Sequence, residues 1–218
     1  MATTILDLSS ERTAEASAEV EDARLIESLR SGSEVAYEEL LSRFQQPVYT
    51  LALRLLNDQS EACDVVQEVF LKVFRNIGGF KGEAALKTWI FKIAFSEILN
   101  RLRWWKRRHR FATVSLDDQP GGVGTGPARG VVALTPTPEQ ALQSKEEETA
   151  IQQALGKLSR EHRSIIVLRD IEGFSYNEIA DVLGVSIGTV KSRLARARGD
   201  LKKSLMRYLS VQQLRLLQ

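Results

Sequence analysis

Apolar residues recur along this chain at three- and four-residue spacings, and nowhere alternate with polar ones long enough to mark a half-buried strand. Tyr37, Leu40, Leu41 and Phe44 fall at i, i+3, i+4 and i+7, giving one apolar helix face behind Ser33, a candidate cap. Pro47 is expected to interrupt or kink that helix. Asp58 with Glu61 three residues on resembles a capping box. The helix after it should bury Val65, Val66, Val69, Phe70, Val73 and Phe74 before Gly78 and Gly79 end it. A further long helix is predicted from about Leu86 to Arg103.

The pattern lapses over residues 111–137, where Gly121, Gly122, Gly124, Gly126 and Gly130 mix with Pro120, Pro127 and Pro136 and few large apolar residues remain. That composition suits a flexible linker. Beyond it, Thr137 and Pro138 fit a helix start. Ser159 can cap a helix carrying Ile165, Ile166 and Leu168, with a stop at Gly173. Ser175 and Glu178 form a capping box before Ile179, Ala180, Val182 and Leu183, and Gly184 closes that helix. Ser186 caps the last one, from Ile187 onward. The expected fold is all-α: two small helical domains, 25–110 and 138–210, joined by a tether, with residues 1–24 an acidic, disordered segment.

Composition adds one distinction. The 30 Lys and Arg nearly balance 28 Asp and Glu, so net charge does not point to a polyanion. The bases are nevertheless segregated into Arg101–Arg110 and Lys191–Lys203, which suggests two anion-binding surfaces. Cys63 is the only cysteine, so no intrachain disulfide can form, and a buried, inert thiol is expected. No apolar run approaches the roughly 20 residues needed to cross a bilayer, and a cytoplasmic protein is expected.

Two short helices joined at Gly184, the second basic, make a helix-turn-helix, whose second helix lies in the major groove. At 100° per residue, Val190, Leu194, Ala197 and Leu201 share a buried stripe, leaving Gly188, Lys191, Ser192, Ala195 and Arg196 outward. The small residues allow close approach, and Lys191 and Arg196 can donate to guanine or phosphate. Arg193, Arg198, Lys202 and Lys203 suit phosphates on the flanks. A merely solvated basic helix is the plainer alternative, and the paired caps and small outward residues favour DNA. The stretch "LGKLSREHRSIIVLRDIEGFSYNEIADVLGVSIGTVKSRLARAR" resembles the fourth conserved region of sigma factors. The resemblance implies minus-35 promoter recognition through Lys191, Ser192, Arg193, Ala195, Arg196 and Arg198, and contact with the polymerase flap. Related domains occur in response regulators, so this half alone does not decide the family.

In the first half, Asp64, Gln67, Glu68, Leu71 and Lys72 share the outward face of their helix, which physics alone leaves open between solvated surface and partner contact. The segment "DVVQEVFLKVFRNIGGFKGEAALKTWIFKIAFSEILNRLR" resembles the second conserved region of sigma factors. By that resemblance, Asp64, Gln67, Glu68 and Leu71 would meet the clamp coiled coil of core RNA polymerase. Opening DNA requires an apolar pocket for an extruded base and cations for the strand. Phe80, Lys81, Lys87, Ser96 and Asn100 stand where the family holds the minus-10 nontemplate strand. Trp89 suits core or a stacking platform, core being favoured, and Ile93 and Phe95 are read as core. The run "NRLRWWKRRHR", with Arg101 and Arg103, carries more bases than a helix end calls for, which favours DNA phosphates over a helix-dipole role or a membrane surface.

Both regions occur in the family's order without its third region, which resembles the extracytoplasmic-function group. That resemblance implies a non-enzymatic protein without cofactor or metal, whose partners would be core RNA polymerase, promoter DNA and an anti-sigma factor, with no membrane insertion. A tether of about 30 residues reaches roughly 100 Å, more than the roughly 70 Å between two promoter elements two turns apart. Two rival classes make different demands. An operator-binding regulator needs only the second domain and a dimer surface, leaving the first domain unexplained. A helical metalloenzyme using Asp64 and Glu68 lacks ligands, since His109 and His162 are the only histidines and no Glu-x-x-His pair exists.

Overall fold

The capping residues act where local chemistry places them. In the computed structural model, which describes residues 20–111 and 149–215, the Ser33 side chain accepts from the Ala36 amide and starts α2 (Glu34–Leu56) after α1 (residues 20–30). Asp58 likewise accepts from Glu61 N–H and starts α3 (Gln59–Asn76), which a 3₁₀ turn, Ile77–Gly79, closes. Then follow α4 (Leu86–Phe111), α5 (residues 149–156), α6 (Arg160–Ile166) with a π turn over Val167–Ile171, α7 (Tyr176–Leu183) and α8 (Ile187–Arg215). Among the described residues there is no strand. The Ser175–Glu178 capping box forms reciprocally, and Gly184 closes α7 at φ +65°, a backbone region glycine enters without penalty. The linker and the helix start at Thr137 and Pro138 lie outside the described residues.

Helices α1 to α4 form one bundle, with Leu29, Leu40, Leu51, Ile90, Phe91 and Ile98 fully buried in it. In the second unit, α8 packs on α6 and α7 around Leu155, Ile165, Leu168, Ile179, Val190 and Leu194. The two units also pack on each other, α7 against α4 and α6 against α2, so their cores are continuous.

Several expectations need correction. Pro47 does not interrupt α2: it removes one donor, but Phe44, Val48 and Leu51 are buried on both sides of it and the helix runs on. Leu41 and Phe74 are not core; they are 38% and 57% exposed, because α2 and α3 each carry an apolar stripe wider than the face their neighbours cover. Helix α4 passes Arg103 to Phe111, since nothing in Trp104–Arg110 breaks a helix, and Arg108 lies over the Trp104 ring one turn back. Residues 20–24 are helical, with Asp22 paired to Arg43 at 2.7 Å. Cys63 is exposed.

Candidate functional site

Three surfaces collect the candidate residues. On α3, Asp64, Gln67, Glu68 and Leu71 are all exposed and share one face, as their spacing requires. The face leads into an apolar groove of about 550 Å³ between α2 and α3. Tyr37, Leu41 and Gln45 form one wall and Phe70, Leu71 and Phe74 the other, above Leu40 and Val66. Tyr37 and Phe74 hold each other across it, ring centroids 4.8 Å apart. The groove residues Tyr37, Leu41 and Phe74 escaped sequence reasoning because their spacing equals that of core positions. The excess width of the two stripes was the available signal.

The second surface runs along α4. Ser96, Asn100 and Arg103 are exposed at i, i+4 and i+7, and Asn100 lies between Glu97 and Arg103 at 3.4 and 3.3 Å. Arg101 is held by Glu61 at 2.9 Å and lies 3.7 Å from Asp64, joining this surface to the first. Lys72 contacts Glu97 at 2.5 Å. Lys81 is exposed in the preceding loop. Phe80 is placed differently from a strand-facing ring: it is 7% exposed, stacks on Trp89 at 5.0 Å, and its carbonyl accepts from Arg30. Trp89, Ile93 and Phe95 are partly buried against the core. Lys87 is turned toward the second unit, donating to the Glu172 carbonyl at 2.7 Å and lying 4.4 Å from the Phe174 ring centroid.

The third surface is the outer face of α8. Val190, Leu194 and Ala197 are buried while Gly188, Lys191, Ser192, Ala195 and Arg196 are exposed, as expected. A methyl group on Gly188 would meet only Ser186 Oγ, at 3.9 Å, so packing within the chain does not demand glycine there. Arg193 and Arg198 flank the face in ion pairs: Arg193 with Glu161 at 3.3 Å, Arg198 with both oxygens of Asp170 at 2.5 and 3.2 Å. The Asp170 hydrogen bond raises the Arg198 pKa further above its already high value.

Electrostatics marks the boundary between the units. Burial pushes the Glu172 carboxyl up to about 7, with the Lys87 ammonium pulling the other way. Burial pushes Glu178 up as well, but hydrogen bonds from Ser175 and Thr88 and the charge of Lys87 outweigh it and leave its pKa lowered. Among the described residues no cluster of His, Cys, Asp and Glu could hold a metal ion, and no helix is long and apolar enough to cross a membrane.

Comparison with known proteins gives a consistent result over both units. The family model described as Sigma-70 region 2 matches residues 40–111, and that described as Sigma-70, region 4 matches residues 148–201. The RNA polymerase sigma-H factor of Pseudomonas aeruginosa is 33% identical over 185 residues, covering 85% of this chain and 94% of that protein. The ECF RNA polymerase sigma-E factor of Haemophilus influenzae is 35% identical over 178 residues, 81% of this chain and 91% of its own. The sigma factor RpoE of Bartonella quintana, solved in complex with the anti-sigma factor NepR, aligns with TM-score 0.61 at 28% identity over 78% of this chain and 96% of that one. CnrH, solved in complex with the cytosolic domain of CnrY, shares the fold, with TM-score 0.62 at 24% identity over 85% of this chain and 97% of that one.

Proposed function

The chain belongs to the extracytoplasmic-function sigma factors of the sigma-70 family, and on that premise we propose how its three surfaces divide the work of initiation. The α3 face, Asp64, Gln67, Glu68 and Leu71, docks on the clamp coiled coil of core RNA polymerase. The outer face of α8 reads the minus-35 element, with Lys191, Ser192, Ala195 and Arg196 toward the bases and Arg193 and Arg198 toward phosphates. Lys81, Ser96, Asn100, Arg101 and Arg103 track the minus-10 nontemplate strand, with Phe80 and Trp89 as the stack that braces the loop. Lys87 joins them when it leaves its contacts in the second unit. The protein acts in the cytoplasm as a binding subunit and not as an enzyme.

The observation that carries this reading is the continuity of the acidic α3 face with an open apolar groove. Two exposed carboxylates beside exposed Leu71 and Phe74 match a helical partner that offers bases along one edge and apolar side chains along the next. An anti-sigma factor that blocks polymerase would find its anchor in the same groove. The RpoE relative was solved with an anti-sigma factor, which supports a partner of that kind for this chain.

Affinity capture of core polymerase tests the assignment. Wild-type protein should retain core, and Asp64→Arg combined with Glu68→Arg should lose it while keeping its helical circular dichroism. Undiminished capture by a folded double variant would remove the α3 face from the account.

A further inference from the structure

Helix α1 precedes residues 40–111, the stretch matched by the Sigma-70 region 2 model, yet it reaches the loop assigned to the minus-10 strand. It is firmly seated. Leu25 and Leu29 are buried, Asp22 pairs with Arg43 at 2.7 Å, and the Leu29 carbonyl accepts from the Tyr37 hydroxyl at 3.5 Å. From the end of this helix the Arg30 guanidinium spans 50 positions of sequence to donate to the Phe80 carbonyl. Glu27, 3.9 Å away and strongly exposed, competes weakly for the same guanidinium.

That carbonyl stands at the root of the loop. The Phe80 amide donates to Ile77 O at 3.2 Å and the Phe80 ring is buried against Trp89, so the donor, ring and acceptor of one residue are all tied down. The next three residues, Lys81, Gly82 and Glu83, are exposed, and Gly82 sits at φ +75°, a region glycine enters without penalty. A trans peptide is planar, with its C=O and N–H pointing in opposite directions. Holding the Phe80 oxygen toward α1 therefore turns the Lys81 N–H away from α1, where no acceptor among the described residues meets it. Without Arg30 the Phe80–Lys81 peptide is free to rotate, with Gly82 absorbing the change, and the Lys81 donor is no longer held in that direction.

We propose that Arg30 is a positioning residue for promoter opening: by holding the Phe80 carbonyl it sets the Phe80–Lys81 peptide so that the Lys81 amide, beside the Lys81 ammonium, donates to the unpaired minus-10 nontemplate strand. Arg30 itself does not touch DNA in this arrangement. The inference deepens the minus-10 assignment of Lys81 and rests on it, whereas the hold of Arg30 on the loop is defined by the contacts alone.

The test uses the full chain with core polymerase on a promoter it opens, read by permanganate reactivity of unpaired thymines, by core capture and by hydrogen exchange of the amides of residues 80–85. Arg30→Met keeps an aliphatic stem and removes the donor. It should speed exchange in the loop and lower reactivity at subsaturating holoenzyme roughly three- to tenfold, as expected for one hydrogen bond from a charged group. Core capture should stay within about twofold and the salt slope should not change. Arg30→Lys restores a donor and should recover most of the loss. A second pair of variants reaches the same amide without touching Arg30. Lys81→Ala removes the ammonium alone, and Lys81→Pro removes the N–H as well; Phe80, extended at ψ 118°, already has the conformation a following proline requires. Proline should open less DNA than alanine by a further factor of roughly three to ten, and the gap should close in the Arg30→Met background. Proline equal to alanine, or unchanged reactivity in Arg30→Met, overturns the proposal. So does a salt slope lowered by about one with loop exchange unaltered, which would put Arg30 on a phosphate itself. If Arg30→Met misfolds, the Lys81 pair decides alone. No core-dependent opening by wild type would overturn the minus-10 reading, and exchange in the loop would still show whether Arg30 holds it.

Discussion

The guanidinium of Arg101 lies 3.7 Å from the carboxylate of Asp64, so a residue assigned to the minus-10 strand touches a residue assigned to polymerase. Glu61 completes the link at 2.9 Å from the same guanidinium, and all three sit at the junction of α3 and α4. A partner cation arriving at Asp64 would compete with Arg101 and leave it held by Glu61 alone. Replacing Arg101 with Ala should therefore impair promoter opening while leaving core affinity within about twofold, because a partly exposed ion pair contributes little to docking. Permanganate reactivity of unpaired thymines, measured beside core capture, separates the two effects.

The apolar groove makes its own prediction. Phe74 is 57% exposed, so Phe74→Asp should leave thermal stability within about 1 kcal/mol while weakening core capture at least about tenfold, as expected for a hot-spot aromatic. The same substitution at buried Val73 should unfold the bundle. Equal effects at both positions in thermal melts and capture would mean that Phe74 is structural.

On α8, Lys191 and Arg196 should behave unlike the flanking arginines. Each changed to Ala should cost about 1–3 kcal/mol on a preferred minus-35 duplex if it reads a base, with sequence preference relaxed. Arg193→Ala and Arg198→Ala should weaken all duplexes alike and reduce the salt slope by about one each. Fluorescence anisotropy against salt concentration, on matched and mismatched duplexes, distinguishes the two patterns.

Glu172 makes stability depend on pH. Its carboxyl titrates at about 7 when folded against an ordinary 4.5, because burial disfavours the charged form. The folded protein therefore holds a proton that the unfolded chain releases, so the stabilisation is complete below about pH 4.5 and lost as pH rises toward 7. Urea midpoints should fall between about pH 5 and pH 8 more steeply for wild type than for Glu172→Gln. Parallel slopes would remove Glu172 from this role.

What the sequence disclosed follows from the range of the interactions involved. Ser33, Asp58, Ser159 and Ser175 act on amides three residues away, and Gly184 acts on its own backbone, so a local reading finds them. The split of α8 into buried Val190, Leu194 and Ala197 and exposed Lys191, Ser192 and Arg196 needs only the helical period. Leu41 and Phe74 were misread because periodicity states which face is apolar and not how much of it a neighbour covers. Lys87 on Glu172, Thr88 on Glu178 and Arg163 on the end of α2 lie 85 to 108 residues apart in sequence, and no spacing rule reaches that far. Phe80 belongs with them, since Arg30 and Trp89 decide its burial.

Runoff transcription with purified core polymerase on a pool of genomic promoter fragments, with and without this protein, tests the central claim most directly. The account predicts discrete transcripts that require both core and this chain, share two spaced elements upstream of their starts, and vanish with Asp64→Arg combined with Glu68→Arg. Sequence-specific DNA binding that needs no core, with no new transcript when core is present, would contradict it.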